Sequence, residues 1–147
     1  MNEPPLSPHV PSSPAPASVP WLAPFLLLIG STGFAAAWVL LAWTRDQQCS
    51  WMAVLAALDA VLLVRLARMP AGWLRATLAG AATAGSILLA NWGIAAAQMG
   101  KPMGLLPWES MGKLGPSFAW VLVTQANHPA DVAWLWLGLV LAVAASR

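Results

Sequence analysis

Asp59 is the only charged residue between Arg45–Asp46 and Arg65, and it falls in the middle of an apolar run that starts near Cys49. An ionisable side chain at membrane depth is costly and normally faces a bundle interior or a water-filled cavity. A carboxyl there can carry a proton or a cation across as access alternates. Protonated, it can instead hydrogen-bond neighbouring hydroxyls and hold helices together. Folding the chain as antiparallel hairpins, with turns near residues 47 and 71, sets position 59 level with about 35 and 83. Ser31, Thr32, Thr83 and Ser86 lie within a turn of those levels, so the expected constellation is one carboxyl with four hydroxyls.

Glu109, His128 and Asp131 form a second set. His128 and Asp131 have the His-x-x-Asp spacing that puts two residues on one side of a helix. Pro129 between them opposes a regular helix there, and Asp131 reads better as the N-cap of the segment that follows. Zinc catalysis needs three ligands and an open position, and only one histidine is available locally. The side-chain amides of Asn91, Gln98, Gln125 and Asn127 can line a polar path or bridge helices. Bridging is the usual role of such groups in apolar helices.

The sequence contains no Gly-rich phosphate loop, no His-Glu-x-x-His and no Gly-x-Ser-x-Gly elbow. Cys49 is the only cysteine, which excludes an internal disulfide, a Cys-x-x-Cys pair and a thiolate cluster; packing at a helix end is its simplest use. The basic residues are scattered singly, without the stripe that tracks a phosphate backbone, so nucleic acid is not an expected partner. The expectation is a non-enzymatic chain with no cofactor and no metal.

The elements that must position these residues follow from composition. Of 147 residues, 59% are apolar and 8% charged, against about 25% charged in soluble domains. Too few polar side chains remain to cover a water-soluble fold of this size. The ten tryptophans suit membrane interfaces, since Trp21 and Trp43 bracket the first apolar run, Trp51 opens the second and Trp73 precedes the third.

The fold class expected is all-α: an integral membrane bundle of four transmembrane helices, with a short interfacial or re-entrant helix before the last. The spans fall at about 21–43, 49–67, 75–98 and 130–146, within a domain 21–147. About 20 apolar residues cross a hydrocarbon core. The first span is uncharged throughout. In the second, Asp59 costs roughly 2.5 to 3.5 kcal/mol at the helix centre, and each Leu or Val returns roughly 0.3 to 0.6. In the third, Ala76, Gly80 and Ala84 recur every four residues, as do Ala82, Ser86 and Ala90, and such stripes let helices approach closely. Between residues 99 and 129, Pro102, Pro107 and Pro116 exclude one straight span, while Met111, Leu114, Phe118, Val121 and Leu122 share a helical face.

Residues 1–20 hold seven prolines among serines and alanines, the composition of a disordered tail. Without a basic start it is not a secretory signal, and it is expected to stay attached. Arg65, Arg68 and Arg75 make the densest basic cluster. Placing it in the cytoplasm puts both termini inside, in what is expected to be a bacterial inner membrane. The partners expected are the lipid bilayer and other membrane proteins or further copies of the chain. The function expected is that of an accessory or assembly subunit acting by helix packing; the alternatives are a small proton- or cation-coupled transporter using Asp59, or a membrane-embedded enzyme using Glu109 and His128.

Overall fold

The computed structural model describes residues 21–147. The proline-rich tail, with the disorder expected of it, lies outside the described residues. The described elements are all helical. They are α1 (Leu22–Arg45), α2 (Met52–Leu66), α3 (Trp73–Gly100), a single 3-10 turn (Lys101–Met103), α4 (Pro107–Lys113), α5 (Pro116–Ala126) and α6 (Pro129–Ser146).

Three stretches are long and apolar enough to cross a membrane: Pro24–Arg45, Trp73–Met103 and Pro129–Ser146. These correspond to the first, third and last expected spans. The second differs. Asp46 and Cys49 both take positive φ, at 52° and 50°, and turn the chain twice after α1. Cys49, Ser50 and Trp51 therefore belong to the connection, and α2 begins at Met52. Its 15 residues extend about 22 Å, short of a hydrocarbon core of about 30 Å.

The single amphipathic helix expected before the last span is two helices. Pro107 and Pro116 each open one, at the position where a missing N–H costs nothing. Proline also disfavours helical backbone in the residue before it, so the chain breaks at Leu114–Gly115. The break separates the proposed common face: Phe118 and Val121 are exposed, while Met111, Leu114 and Leu122 are half-buried.

The centre of the bundle is α3, which packs against α1, α2, α4, α5 and α6. Of the six small residues anticipated for close packing, Ala76, Gly80, Ser86 and Ala90 are buried, joined by Ala79, Thr83 and Gly93, while Ala82 and Ala84 are half-buried. A Cβ on Gly93 would collide with Val39 of α1. Ala35, Trp38, Val39 and Ala42 of α1 meet Met52 and Ala53 of α2 and Ala90, Ile94 and Ala97 of α3 in one core cluster. Leu27, Ala60, Val64 and Ala79 form another. Helix α2 packs more extensively on α6 than on α1 or α3. There Gly138 lets the backbones touch, since a Cβ on it would lie 2.6 Å from the Ala53 carbonyl oxygen.

The flanks of the bundle carry exposed large apolar side chains, among them Leu28, Ile29, Leu62, Leu88, Trp136 and Val140. At one end, the Arg75 Nε–H donates to the Ser146 carbonyl at 2.7 Å, and Arg65 Nη2 donates to the Ala145 carbonyl at 3.4 Å. Both guanidinium groups thus meet carbonyls at the C-terminus of α6, where a helix lacks internal partners and carries negative partial charge. The Arg147 guanidinium lies 4.4 Å above the Trp73 ring. The four arginines Arg65, Arg68, Arg75 and Arg147 therefore share one end.

Candidate functional site

At the other end a cleft of about 1020 Å³ opens between the α1–α2 connection, the C-terminal half of α3, α5 and the start of α6. Its floor is one stripe of α3: Asn91, Ile94, Ala95, Gln98 and Met99 recur at i, i+3, i+4, i+7 and i+8.

Three side-chain amides meet here, of which Gln48 and Asn91 line the cleft and Asn127 does not. The Gln48 Nε2 group donates to Asn91 Oδ1 at 2.7 Å and to Asn127 Oδ1 at 3.1 Å, while Asn127 Nδ2 donates to Asn91 Oδ1 at 3.1 Å. The two asparagines also donate to their own helices, Asn91 to the Ile87 carbonyl and Asn127 to the Val123 carbonyl. Asn91 is 3% exposed, and a group so buried must be hydrogen-bonded or it is costly. Gln48 is held by its backbone, because the fully buried Trp38 donates its indole N–H to the Gln48 carbonyl at 3.0 Å.

A second tie closes the wall beside α6. Ser50 Oγ donates to Asp131 Oδ1 at 2.6 Å, and Asp131 Oδ2 accepts the His128 N–H at 2.9 Å. Asp131 is thus the third residue of α6 reaching back to its cap, and His128 holds the N-cap position the sequence had given to Asp131. Glu109 does the same on α4, its carboxylate accepting the Leu106 N–H at 3.1 Å. The set Glu109, His128 and Asp131 is therefore divided: His128 and Asp131 line the cleft and Glu109 does not. Both carboxylates serve as helix caps. At the rim, Lys101 and Asp46 form an ion pair.

The hydroxyls expected around Asp59 have other partners. Ser86 donates to the Ser31 carbonyl at 3.1 Å and so ties α3 to α1. Ser31 and Thr32 donate to Leu28, and Thr83 to Ala79, all within their own helices. Among the described residues none donates to Asp59, and Asp59 does not line the cleft. Asp59 lies half-buried on α2, at the edge of the face opposite Ala53, Ala57, Ala60 and Val64.

Sequence reasoning pointed to Asn91 and Asn127 as bridging amides and missed Gln48, which read as part of a polar turn. Gln98 lines the cleft and is exposed; Gln125 is exposed elsewhere. Among the described residues no three His, Cys, Asp or Glu side chains converge on a common point. The sequence matches no family model, no curated protein and no solved structure.

Proposed function

We propose that this chain is a multi-pass inner-membrane protein of four spans, with α2 as the short second span and α4–α5 near one interface. Its role in this reading is that of a non-catalytic accessory subunit that packs against another membrane protein. The support is one surface of α2. Leu55, Asp59, Leu62 and Leu66 are spaced four, three and four residues apart, the spacing of a helix–helix seam. The three leucines are exposed, Leu62 at 63% and Leu66 at 71%, so the bundle's own core does not use this seam. A polar residue at one seam position sets register and partner at a cost in stability, and Asp59 fits that role. In lipid its carboxyl gains from a donor on a facing helix.

Orientation in this proposal follows the arginines. Four basic residues gather at the end that holds the C-terminus of α6, and Arg45, Lys101 and Lys113 belong to the other. The first end is assigned to the cytoplasm, with both termini there and the amide-floored cleft on the far side.

The test is to purify the tagged full-length protein from its native membrane in a mild detergent, beside Asp59→Asn and Asp59→Leu. The wild type is expected to bring down a membrane protein at constant stoichiometry. Asp59→Leu is expected to lose that protein while accumulating normally, and Asp59→Asn, which keeps a hydrogen-bonding group, to retain part of it. Recovery of the same partner with Asp59→Leu overturns the assignment of the seam.

A further inference from the structure

The amide triad does not use all its hydrogen-bonding capacity. Gln48 spends both Nε2 hydrogens on the two asparagines, and its Oε1 accepts nothing among the described residues. Asn91 spends one Nδ2 hydrogen on Ile87 and keeps the other. One acceptor and one donor of the two lining amides therefore have no partner among the described residues, and Gln98 adds an exposed amide to the same lining.

The charges around the cleft narrow what can enter. Asp46, His128 and Asp131 line it, while no lysine or arginine does. With Asp46 paired to Lys101 at the rim, Asp131 is the carboxylate that keeps its charge among the described lining residues, and it disfavours a phosphate or any other anion. A cation finds both carboxylates already engaged, Asp46 by Lys101 and Asp131 by Ser50 and the His128 N–H. The remaining polar groups are the amides of Gln47, Gln48, Asn91 and Gln98 and the His128 imidazole, beside the half-exposed rings of Trp51 and Trp134. Rings of this kind offer flat apolar contact to a ligand. The volume, about 1020 Å³, exceeds that of a single sugar-sized group and leaves room for whatever carries it.

Depth gives the last constraint, and it rests on the membrane reading above. Asn91 precedes the end of α3 at Gly100 by nine residues, about 13 Å along the axis. A helix of 28 residues centred in the bilayer overhangs a core of about 30 Å by roughly 6 Å at each end. The triad then lies below the hydrocarbon boundary, within reach of a headgroup drawn inward.

We infer that the cleft binds an uncharged, hydroxyl-rich group of hexose size, carried on a lipid or free in water. A hydroxyl both donates and accepts, so it can satisfy Gln48 Oε1 and Asn91 Nδ2 together. The tryptophan walls cover the apolar face of a sugar ring.

The experiment uses the full chain in phosphatidylcholine nanodiscs, prepared without sugar-headed detergents and doped equally with monoglucosyl diacylglycerol and phosphatidylglycerol. Native mass spectrometry counts the lipids retained. One glucosyl lipid per chain is expected, in preference to phosphatidylglycerol. Asn91→Leu should lower its retention about tenfold, the equivalent of one good hydrogen bond. Because that change also opens the triad, Gln98→Leu combined with Trp134→Ala serves as a second variant with the triad intact, and the same loss is expected at an unchanged melting temperature. Displacement of the lipid by free glucose assigns recognition to the sugar alone, and resistance assigns it to the lipid-borne form; both support the inference. Equal retention of phosphatidylglycerol, or retention unchanged in the folded double variant, overturns it. Neither result depends on whether a protein partner binds α2.

Discussion

Gln48 and Asn91 are 43 positions apart in sequence, and the Gln48 amide donates to Asn91 Oδ1 at 2.7 Å. The contact fastens the α1–α2 connection to α3, and Asn127 completes it from the end of α5. Its members are buried or half-buried, so removing Asn91 leaves Gln48 Nε2 and Asn127 Nδ2 each short of one acceptor.

Asn91→Leu should therefore destabilise the protein by about 1–3 kcal/mol, the cost of leaving buried amide groups unsatisfied. Thermal unfolding in detergent reads the effect. Gln125→Leu, on an exposed amide outside the network, should leave the midpoint unchanged.

Asp131 does two jobs, accepting the Ser50 hydroxyl and the His128 N–H. Ser50→Ala removes one bond and is expected to cost about 1 kcal/mol. Asp131→Ala also removes the bond to the His128 N–H at the start of α6, which adds about another 1 kcal/mol. Hydrogen exchange over residues 129–134 should speed up more in Asp131→Ala than in Ser50→Ala.

Gly138 and Gly33 should respond oppositely to alanine. A Cβ at Gly138 would lie 2.6 Å from the Ala53 carbonyl oxygen, forcing α2 and α6 apart, whereas at Gly33 it would meet nothing within 4 Å. Overpacking of that kind costs about 1–3 kcal/mol. Alanine at an unobstructed helical position gains up to about 1 kcal/mol over glycine. Melting temperatures of the two variants should fall on opposite sides of the wild type.

If the arginine end faces the cytoplasm, a reporter fused after Met69 is active there, and one fused after Pro116 is active on the far side. Paired phosphatase and fluorescent-protein fusions check both. The reverse pattern would invert the bundle and leave its packing intact.

The long apolar helices could be read directly from the sequence, because an uninterrupted run such as Trp21 to Trp43 allows little else. The packing face of α3 was also legible: small residues at a spacing of four leave room only for another helix. The surroundings of Asp59 were not. Folding the chain as hairpins aligns positions along neighbouring helices but does not say which neighbour a face meets, and α2 turned out to pack most extensively on α6. Ser31, Thr32 and Thr83 bond to carbonyls in the preceding turn, as short hydroxyl side chains in helices commonly do. Gln48 was hidden because a polar residue in a turn gives no sign that the turn folds inward. The break between α4 and α5 was present in Pro116, yet the apolar spacing across it mimicked one continuous helix.

A photoreactive residue in place of Leu62, three positions after Asp59 and 63% exposed, would report what covers α2 in intact native membranes. Docking through this seam predicts one discrete protein adduct that disappears when Asp59→Leu is added. Adducts to lipid alone, from a protein that accumulates normally, would contradict it.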